Sequence, residues 1–168
     1  MNEKKYLYAP WRLEYILGEK PDDCVMCRTK ETAKDVENLI LYRAQDNYIM
    51  LNRYPYNNGH LMIVPYQHVA HIYELSPAAW QEAGELIKLC EKALYNAYHC
   101  DGINIGMNLG TAAGAGISEH LHIHILPRFH GDSNFMSVVA GERVIPEAFE
   151  LTYQKLQKAI KDIVASDV

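Results

Sequence analysis

His120-Leu121-His122-Ile123-His124-Ile125-Leu126-Pro127-Arg128 begins with imidazole and aliphatic side chains in strict alternation. A period of two is that of an extended strand, whose successive side chains leave on opposite faces. The spacing puts Leu121, Ile123 and Ile125 into a core and His120, His122 and His124 together on the other face. Imidazoles in such a row can hold a metal ion, or can carry out nucleophilic attack and proton transfer near neutral pH.

Working outward, Gly110-Thr111-Ala112-Ala113-Gly114-Ala115-Gly116 is nearly free of side chains, so its backbone N–H groups can approach and cradle an anion. Such a loop just ahead of the histidine row points to phosphoryl or nucleotidyl chemistry. Before it, Ile103, Ile105, Met107 and Leu109 alternate with Asn104, Gly106 and Asn108, which predicts a strand with one face in the core. Ser76-Pro77 gives an N-cap followed by proline at the first helical position. Trp80, Ala83, Ile87, Cys90, Leu94 and Ala97 then recur at helical spacing, predicting a long amphipathic helix that stops near Asp101-Gly102. Cys90 falls on its apolar stripe and reads as a small buried hydrophobe, and Cys100 reads the same way.

Short apolar runs at Leu39 to Tyr42, Tyr48 to Leu51 and Leu61 to Val64 predict further strands, and Phe149, Tyr153, Leu156, Ile160 and Ile163 a last helix beginning near Pro146. About five strands not regularly interleaved with two helices predict an α+β fold with an antiparallel sheet. No repeat or linker divides the chain, which reads as one domain: an irregular N-terminal arm over residues 1–37, a catalytic core over 38–140 and a C-terminal helix over 141–168. The arm carries Tyr6, Tyr8, Trp11 and Tyr15 ahead of its cysteines.

The 168 residues contain 16 Lys and Arg against 21 Asp and Glu, a formal charge of -5. Binding along a nucleic acid backbone needs a broad cationic face and is not expected. No apolar run reaches the roughly 18 to 20 residues of a bilayer span, so no membrane association is expected. The start of the chain lacks the apolar region of a signal peptide, and a cytoplasmic location is expected. The chain's 4 cysteines include the pair Cys24-Val25-Met26-Cys27, which in a reducing compartment reads as metal-binding or redox-active. A redox motif of the thioredoxin kind expects a strand before it and a helix opening at it. Neither is evident here, and zinc is the better reading.

The run from His120 to Arg128 resembles the signature of the histidine triad (HIT) superfamily of nucleotidyl hydrolases and transferases. Asn52-Arg53-Tyr54-Pro55 and Gly59-His60-Leu61-Met62-Ile63-Val64-Pro65 are similar to that family's nucleoside-binding strands and turn. Asn108-Leu109-Gly110, the Ala/Gly loop and Gly131 to Met136 look most like the bacterial diadenosine tetraphosphate phosphorylase and dinucleoside polyphosphate hydrolase branch. The resemblance implies a HIT-like fold in which His122 is nucleotidylated and His124 hydrogen-bonds the phosphate or departing oxygen. It implies that Asn52 and His60 lie at the ribose and base, and Asn108 and the loop Gly114, Ala115 and Gly116 at the phosphates. Ser118 either donates to the leaving group or caps a turn. That branch commonly carries serine four residues before the first triad histidine, where this chain has Gly116, so phosphate and water both stand as second-step acceptors.

Zinc-bearing relatives imply a structural site of Cys24, Cys27, His68 and His120, with His71 the rival to His68. Magnesium is a further expected cation. The resemblance also implies a homodimer, or a tetramer, acting on an adenine dinucleoside polyphosphate. A nucleoside phosphoramidate hydrolase and a nucleotide-binding module without turnover are the alternatives. A sugar-nucleotide uridylyltransferase is a weaker one, because that branch carries Gln where this chain has His124.

Overall fold

Alternation along three neighbouring strands builds the scaffold. In the computed structural model, which describes residues 24–31, 34–132 and 147–166, Ile49 and Leu51, Leu61 and Ile63, and Ile123 and Ile125 point to one side, where they form the main core. Tyr48, Met50, Met62 and Val64 point to the other side into a smaller cluster. The strands are β1 (Ile40–Arg43), β2 (Asn47–Leu51), β3 (Leu61–Pro65), β4 (Gly102–Gly106) and β5 (Ile123–Arg128). They form a 5-stranded sheet in the order β1-β2-β3-β5-β4. Each neighbouring pair is antiparallel. The fold is α+β, as expected. The aromatic N-terminal arm, Ser133 to Met136 and Pro146 lie outside the described residues.

Among the described residues, three helices cover this sheet: α1 (Val25–Glu31), α2 (Pro77–Tyr98) and α3 (Phe149–Ser166). Helix α2 begins as predicted, with the Ser76 side chain accepting from the Ala79 amide. It ends at Tyr98, because His99 turns into the left-handed region and closes the last turn on Tyr95. Ala83, Leu86, Cys90, Ala93 and Leu94 face the main core together with Tyr153, Leu156, Ile160 and Ile163 of α3. Trp80, expected on the stripe, is exposed, and Ala79 and Leu86 occupy the buried positions instead. Helix α3 starts at Phe149, itself partly exposed. Burial pushes the Cys90 thiol well up, so this group stays neutral.

Two expectations need correction. Of the alternation over Ile103 to Leu109 only the part within β4 is strand, and it lies at the sheet edge: Ile103 and Met107 pack against the main core, but Ile105 is 49% and Leu109 41% exposed. The helices reach across β2, β3 and β5, and β4 lies at the margin beyond β5. The region around the cysteine pair, read as irregular, contains α1, whose seven residues are too few for a stable isolated helix. The sheet holds it in place: Met26 packs with Ile40, Tyr48, Met50, Met62 and Val64, and the Tyr48 hydroxyl donates to the Met26 carbonyl at 3.0 Å.

Candidate active site and metal centre

The histidine row enters the sheet at Ile123, so His120 and His122 precede the strand and only His124 lies within it. The alternation nevertheless brings two rings together, with His122 and His124 centroids 4.7 Å apart and nearly perpendicular. His122 is buried, at 7% exposure, and its Nδ1 lies 2.8 Å from the His120 carbonyl. A carbonyl only accepts, so Nδ1 carries the proton and Nε2 keeps its lone pair. Burial lowers the His122 pKa, outweighing the hydrogen bond to the His120 carbonyl that works to raise it. The ring is thereby held neutral, the form in which imidazole is a nucleophile.

His120 is turned the other way. Its Nε2 donates to the Pro65 carbonyl at 2.9 Å. The Nδ1 lone pair then faces the thiols, 3.3 Å from Cys24 Sγ and 3.5 Å from Cys27 Sγ. His68 Nδ1 lies 3.2 Å from Cys27 Sγ, and all four ligand atoms fall within 4.8 Å of one another. A tetrahedral ion bound at about 2.3 Å by sulfur and about 2.0 Å by nitrogen spaces its ligands about 3.5 Å apart. The two thiols and two imidazoles therefore fit a metal ion, with the Pro65 carbonyl fixing the His120 tautomer from behind. The choice between His68 and His71 falls to His68. His71 instead stacks on Tyr73 at 5.1 Å, beside the short turn Ile72–Glu74.

His60, expected beside the base, is 1% exposed. Its Nδ1 accepts from the Tyr56 amide at 3.2 Å and its Nε2 lies 2.9 Å from His124 Nδ1. Its ring is packed into the interior of the site, reaching only the floor of the hollow beside Asn52. Gly59 makes this burial feasible: at φ +72, a Cβ there would lie 3.0 Å from Tyr98 and 3.3 Å from Leu94 and Pro127. Asn52 Oδ1 accepts from the Tyr54 amide at 2.9 Å, so its side chain braces the turn. A shallow hollow at that end is lined by Asn52, Pro55, Asn57, His60, Phe149 and Thr152. Neither His122 nor His124 lines it.

The small-residue loop contains a tight turn at Thr111–Ala113. The amides of Gly114 and Ala115, expected to face phosphate, donate inward to the carbonyls of Thr111 and Gly110. Those of Gly116, Ile117 and Ser118 donate to no backbone carbonyl among the described residues. Ile117 packs against the Met26 cluster and ties this end of the loop to the metal centre. Asn108 and Ser118 are half-buried. Sequence reasoning passed over Tyr56, whose backbone amide does the work, and the Pro65 carbonyl. Backbone groups leave no residue-type signal.

A model of the HIT domain matches residues 33–131. The chain belongs to the HIT domain family. This HIT chain is 42% identical over 161 residues to the AP-4-A phosphorylase of Mycobacterium tuberculosis, covering 89% of this chain and 81% of that protein. It is 24% identical over 107 residues to the asymmetrical bis(5'-nucleosyl)-tetraphosphatase of Schizosaccharomyces pombe, covering 64% of this chain and 58% of that protein. Among solved structures, a Zn-bound histidine triad family protein from Mycobacterium smegmatis superposes with a TM-score of 0.69 at 24% identity, covering 86% of this chain and 97% of that one. That likeness shows the HIT fold. Among the described residues of this HIT chain, no helix is long and apolar enough to cross a membrane.

Proposed function

We propose that this HIT-family enzyme cleaves dinucleoside polyphosphates of the diadenosine tetraphosphate kind through a nucleotidyl-His122 intermediate, and passes the nucleotide to inorganic phosphate. One observation carries the reading: His122 is buried and neutral, and its Nδ1 is committed to the His120 carbonyl, which leaves Nε2 as the nucleophile. In the first step Nε2 attacks the α-phosphorus, and the bond to the bridging oxygen breaks as the nucleoside polyphosphate leaves with the electron pair. In the second step an oxygen of phosphate attacks the same phosphorus, and the phosphorus–nitrogen pair returns to Nε2. His124, whose ring lies 4.7 Å from that of His122, is assigned to the phosphate or the departing oxygen. The amides of Gly116 to Ser118 are assigned to stabilising the charge that builds on it. Asn108 is assigned to the phosphates and Asn52 to the ribose end.

The relative named as a phosphorylase, at 42% identity, favours phosphate as acceptor. Water is the second reading, favoured by Gly116 in place of the branch's serine and by the relative named as an asymmetrical tetraphosphatase. Diadenosine tetraphosphate with phosphate should give ADP and ATP; AMP and ATP would assign the acceptor as water. His122→Asn should abolish turnover while leaving nucleotide affinity nearly intact. Mass spectrometry after rapid quenching should find one nucleotide added to the peptide containing His122. Turnover without that adduct would reject the covalent route.

Zinc is assigned to Cys24, Cys27, His68 and His120, where a closed four-ligand site would tie α1 to the entry of β5. Magnesium, where the reaction uses it, would enter on the substrate's phosphates. The edge position of β4, with Ile105 on it and Leu109 just beyond it exposed, favours a homodimer that continues the sheet, to be checked by light scattering. A cytoplasmic enzyme of one domain is the setting this reading assumes.

A further inference from the structure

We propose that Arg128 is a specificity-determining residue that holds the phosphate chain of the departing nucleotide, so that the enzyme selects phosphoanhydride substrates over simple esters and phosphoramidates of AMP. The inference rests on the nucleotidyl-transfer reading above and names the side of the sheet on which the leaving group is recognised.

The pleat places the residues. On β5, Ile123 and Ile125 face the main core, so His124, Leu126 and Arg128 share the opposite face. Across the ladder, Gly106 of β4 stands beside His124, and Asn104 beside Leu126. Residues directly opposite each other project to the same face. The Arg128 guanidinium is folded back along that face: Nη1 donates to Asn104 Oδ1 at 2.7 Å and Nε to Asp132 Oδ2 at 2.6 Å. It therefore reaches the Asn104–Leu126 rung, one same-face step of about 7 Å from the His124–Gly106 rung. The β4 side of that step is bare, because Gly106 is exposed and a Cβ built on it would meet no atom within 4 Å.

Topology gives the direction. The sheet order puts β2 and β3 on one side of β5 and β4 on the other. Asn52, assigned to the ribose, directly follows β2, so the transferred nucleoside takes the β2 side of the phosphorus. The leaving chain is bonded through a different oxygen and is left the β4 side, over Gly106 toward Asn104 and Arg128. A protein of formal charge -5 has no broad field to draw a polyphosphate, and the attraction must be local. Neither β4 nor β5 carries a Lys or Arg other than Arg128. Arg43 shares the face from β1, but its Nε and Nη2 both donate to Asp35, and β2 and β3 separate it from β5. Asp132 offsets part of the Arg128 charge and in return fixes the fork. Among the described residues only its Nε and Nη1 are bonded, and Nη2 keeps its N–H groups for phosphate oxygens, which a guanidinium binds with directional geometry. The side chain is 49% exposed and open to a ligand.

The test uses the full-length protein at fixed magnesium. Its readout is the ratio of kcat/KM on diadenosine tetraphosphate to kcat/KM on the nitrophenyl ester of AMP, whose leaving group has no phosphate. Arg128→Met keeps the stem and removes the fork, and should lower this ratio about tenfold, the low end for a hydrogen bond to a charged group because the site is half exposed. Arg128→Lys, which keeps the charge alone, should recover part of the loss. Calorimetric titration with inorganic tripolyphosphate should show affinity weakened about tenfold by Arg128→Met, with AMP affinity changed by less than about twofold. A residue that only braces β5 would lower both substrates, and both ligands, alike. An unchanged ratio, or AMP and tripolyphosphate weakened equally, would overturn the inference. The tripolyphosphate titration needs no turnover and keeps the two readings apart. No nucleotide adduct on His122 beside a selective loss of tripolyphosphate would sink the nucleotidyl-transfer reading and retain the anion site, whereas an adduct beside an unchanged ratio would sink only the present inference.

Discussion

Tyr48→Phe removes a single oxygen and should loosen the metal centre more than the fold. Tyr48 is 0% exposed, and its hydroxyl donates at 3.0 Å to the carbonyl of Met26, between Cys24 and Cys27. Burial raises the pKa of this phenol, with the nearby Cys24 and Cys27 adding to the shift, so it remains a neutral donor at any working pH. Without the hydroxyl, the Met26 carbonyl keeps its helical hydrogen bond but α1 loses this bond to the sheet, which costs about 0.5–1.5 kcal/mol. Helix α1 has seven residues and no independent stability, so this cost falls on its docking. Docking is what brings Cys24 and Cys27 to His68 and His120. At about 1.4 kcal/mol per factor of ten, zinc affinity should weaken roughly 2- to 12-fold. Competition against a chromophoric chelator measures it directly, with thermal unfolding of the zinc-loaded protein as the control. A zinc affinity within twofold of the unaltered protein, accompanied by a clear fall in Tm, would show that Tyr48 supports the sheet and that α1 is held by other contacts.

Three further outcomes follow from the same packing. Gly59→Ala should destabilise the protein by about 1–3 kcal/mol, because a Cβ at φ +72 is strained and meets Tyr98 at 3.0 Å; urea unfolding should show a lower midpoint at unchanged slope. Ser76→Ala should cost about 1 kcal/mol by removing the cap on the Ala79 amide, read in the same titration. At Glu82, burial works to raise the carboxyl pKa but is outweighed by hydrogen bonds from Asn47 Nδ2 and the amides of Asp46 and Gln45, which hold it below the usual value. A depressed folded pKa gives stability that is present above the unfolded value near about 4.5 and is lost as pH falls through the folded one. Glu82→Gln should therefore flatten the pH dependence of stability in that acid window and leave its shape above about pH 6 unchanged.

The parts of this molecule legible in the sequence are those written in side-chain period. The histidine row, the long helix from Ser76-Pro77 and the strands around Tyr48 and Leu61 each repeat a local pattern over enough residues to be read. The edge position of β4 was not legible, because Ile103, Ile105 and Leu109 alternate just as a core strand does, yet only Ile103 packs against the core and Ile105 and Leu109 are left uncovered. Trp80 misled for a related reason. It sits at helical spacing from Ala83, yet the buried arc of α2 is centred on Ala79, Ala83, Leu86 and Cys90. Helix α1 carries no periodic signal, and tertiary anchors rather than propensity account for it. His68 and His71 could not be separated by spacing, since the backbone path after β3 decides which ring turns toward the thiols. The contact of His60 with His124 was not legible, because it depends on the β3–β5 register, a property of two strands about sixty residues apart that neither strand encodes alone.

That register also explains why one short segment can serve two centres. Side chains two residues apart on an extended chain stand about 7 Å apart on the same face, far enough for separate partners and near enough for a backbone carbonyl to bridge them. His120 gives its Nδ1 to the cysteine cluster, its Nε2–H to the Pro65 carbonyl and its own carbonyl to His122 Nδ1. A shift of the His120 backbone would move the acceptor that holds the proton on His122 Nδ1 and so would free Nε2 to be protonated instead. Anchoring His120 through its ring thus restrains the tautomer of the next imidazole along, although that imidazole is not itself among the candidate metal ligands. The two histidines after His120 are prepared from opposite sides, His122 by the carbonyl of its own chain and His124 by His60 across the β3–β5 ladder. Substitution on one side should leave the other tautomer intact, because no hydrogen bond joins the rings of His122 and His124: they meet edge to face at 81°. Their contributions to the reaction are therefore separable by paired substitution at His60 and at the metal centre, and the two losses should add on a logarithmic scale.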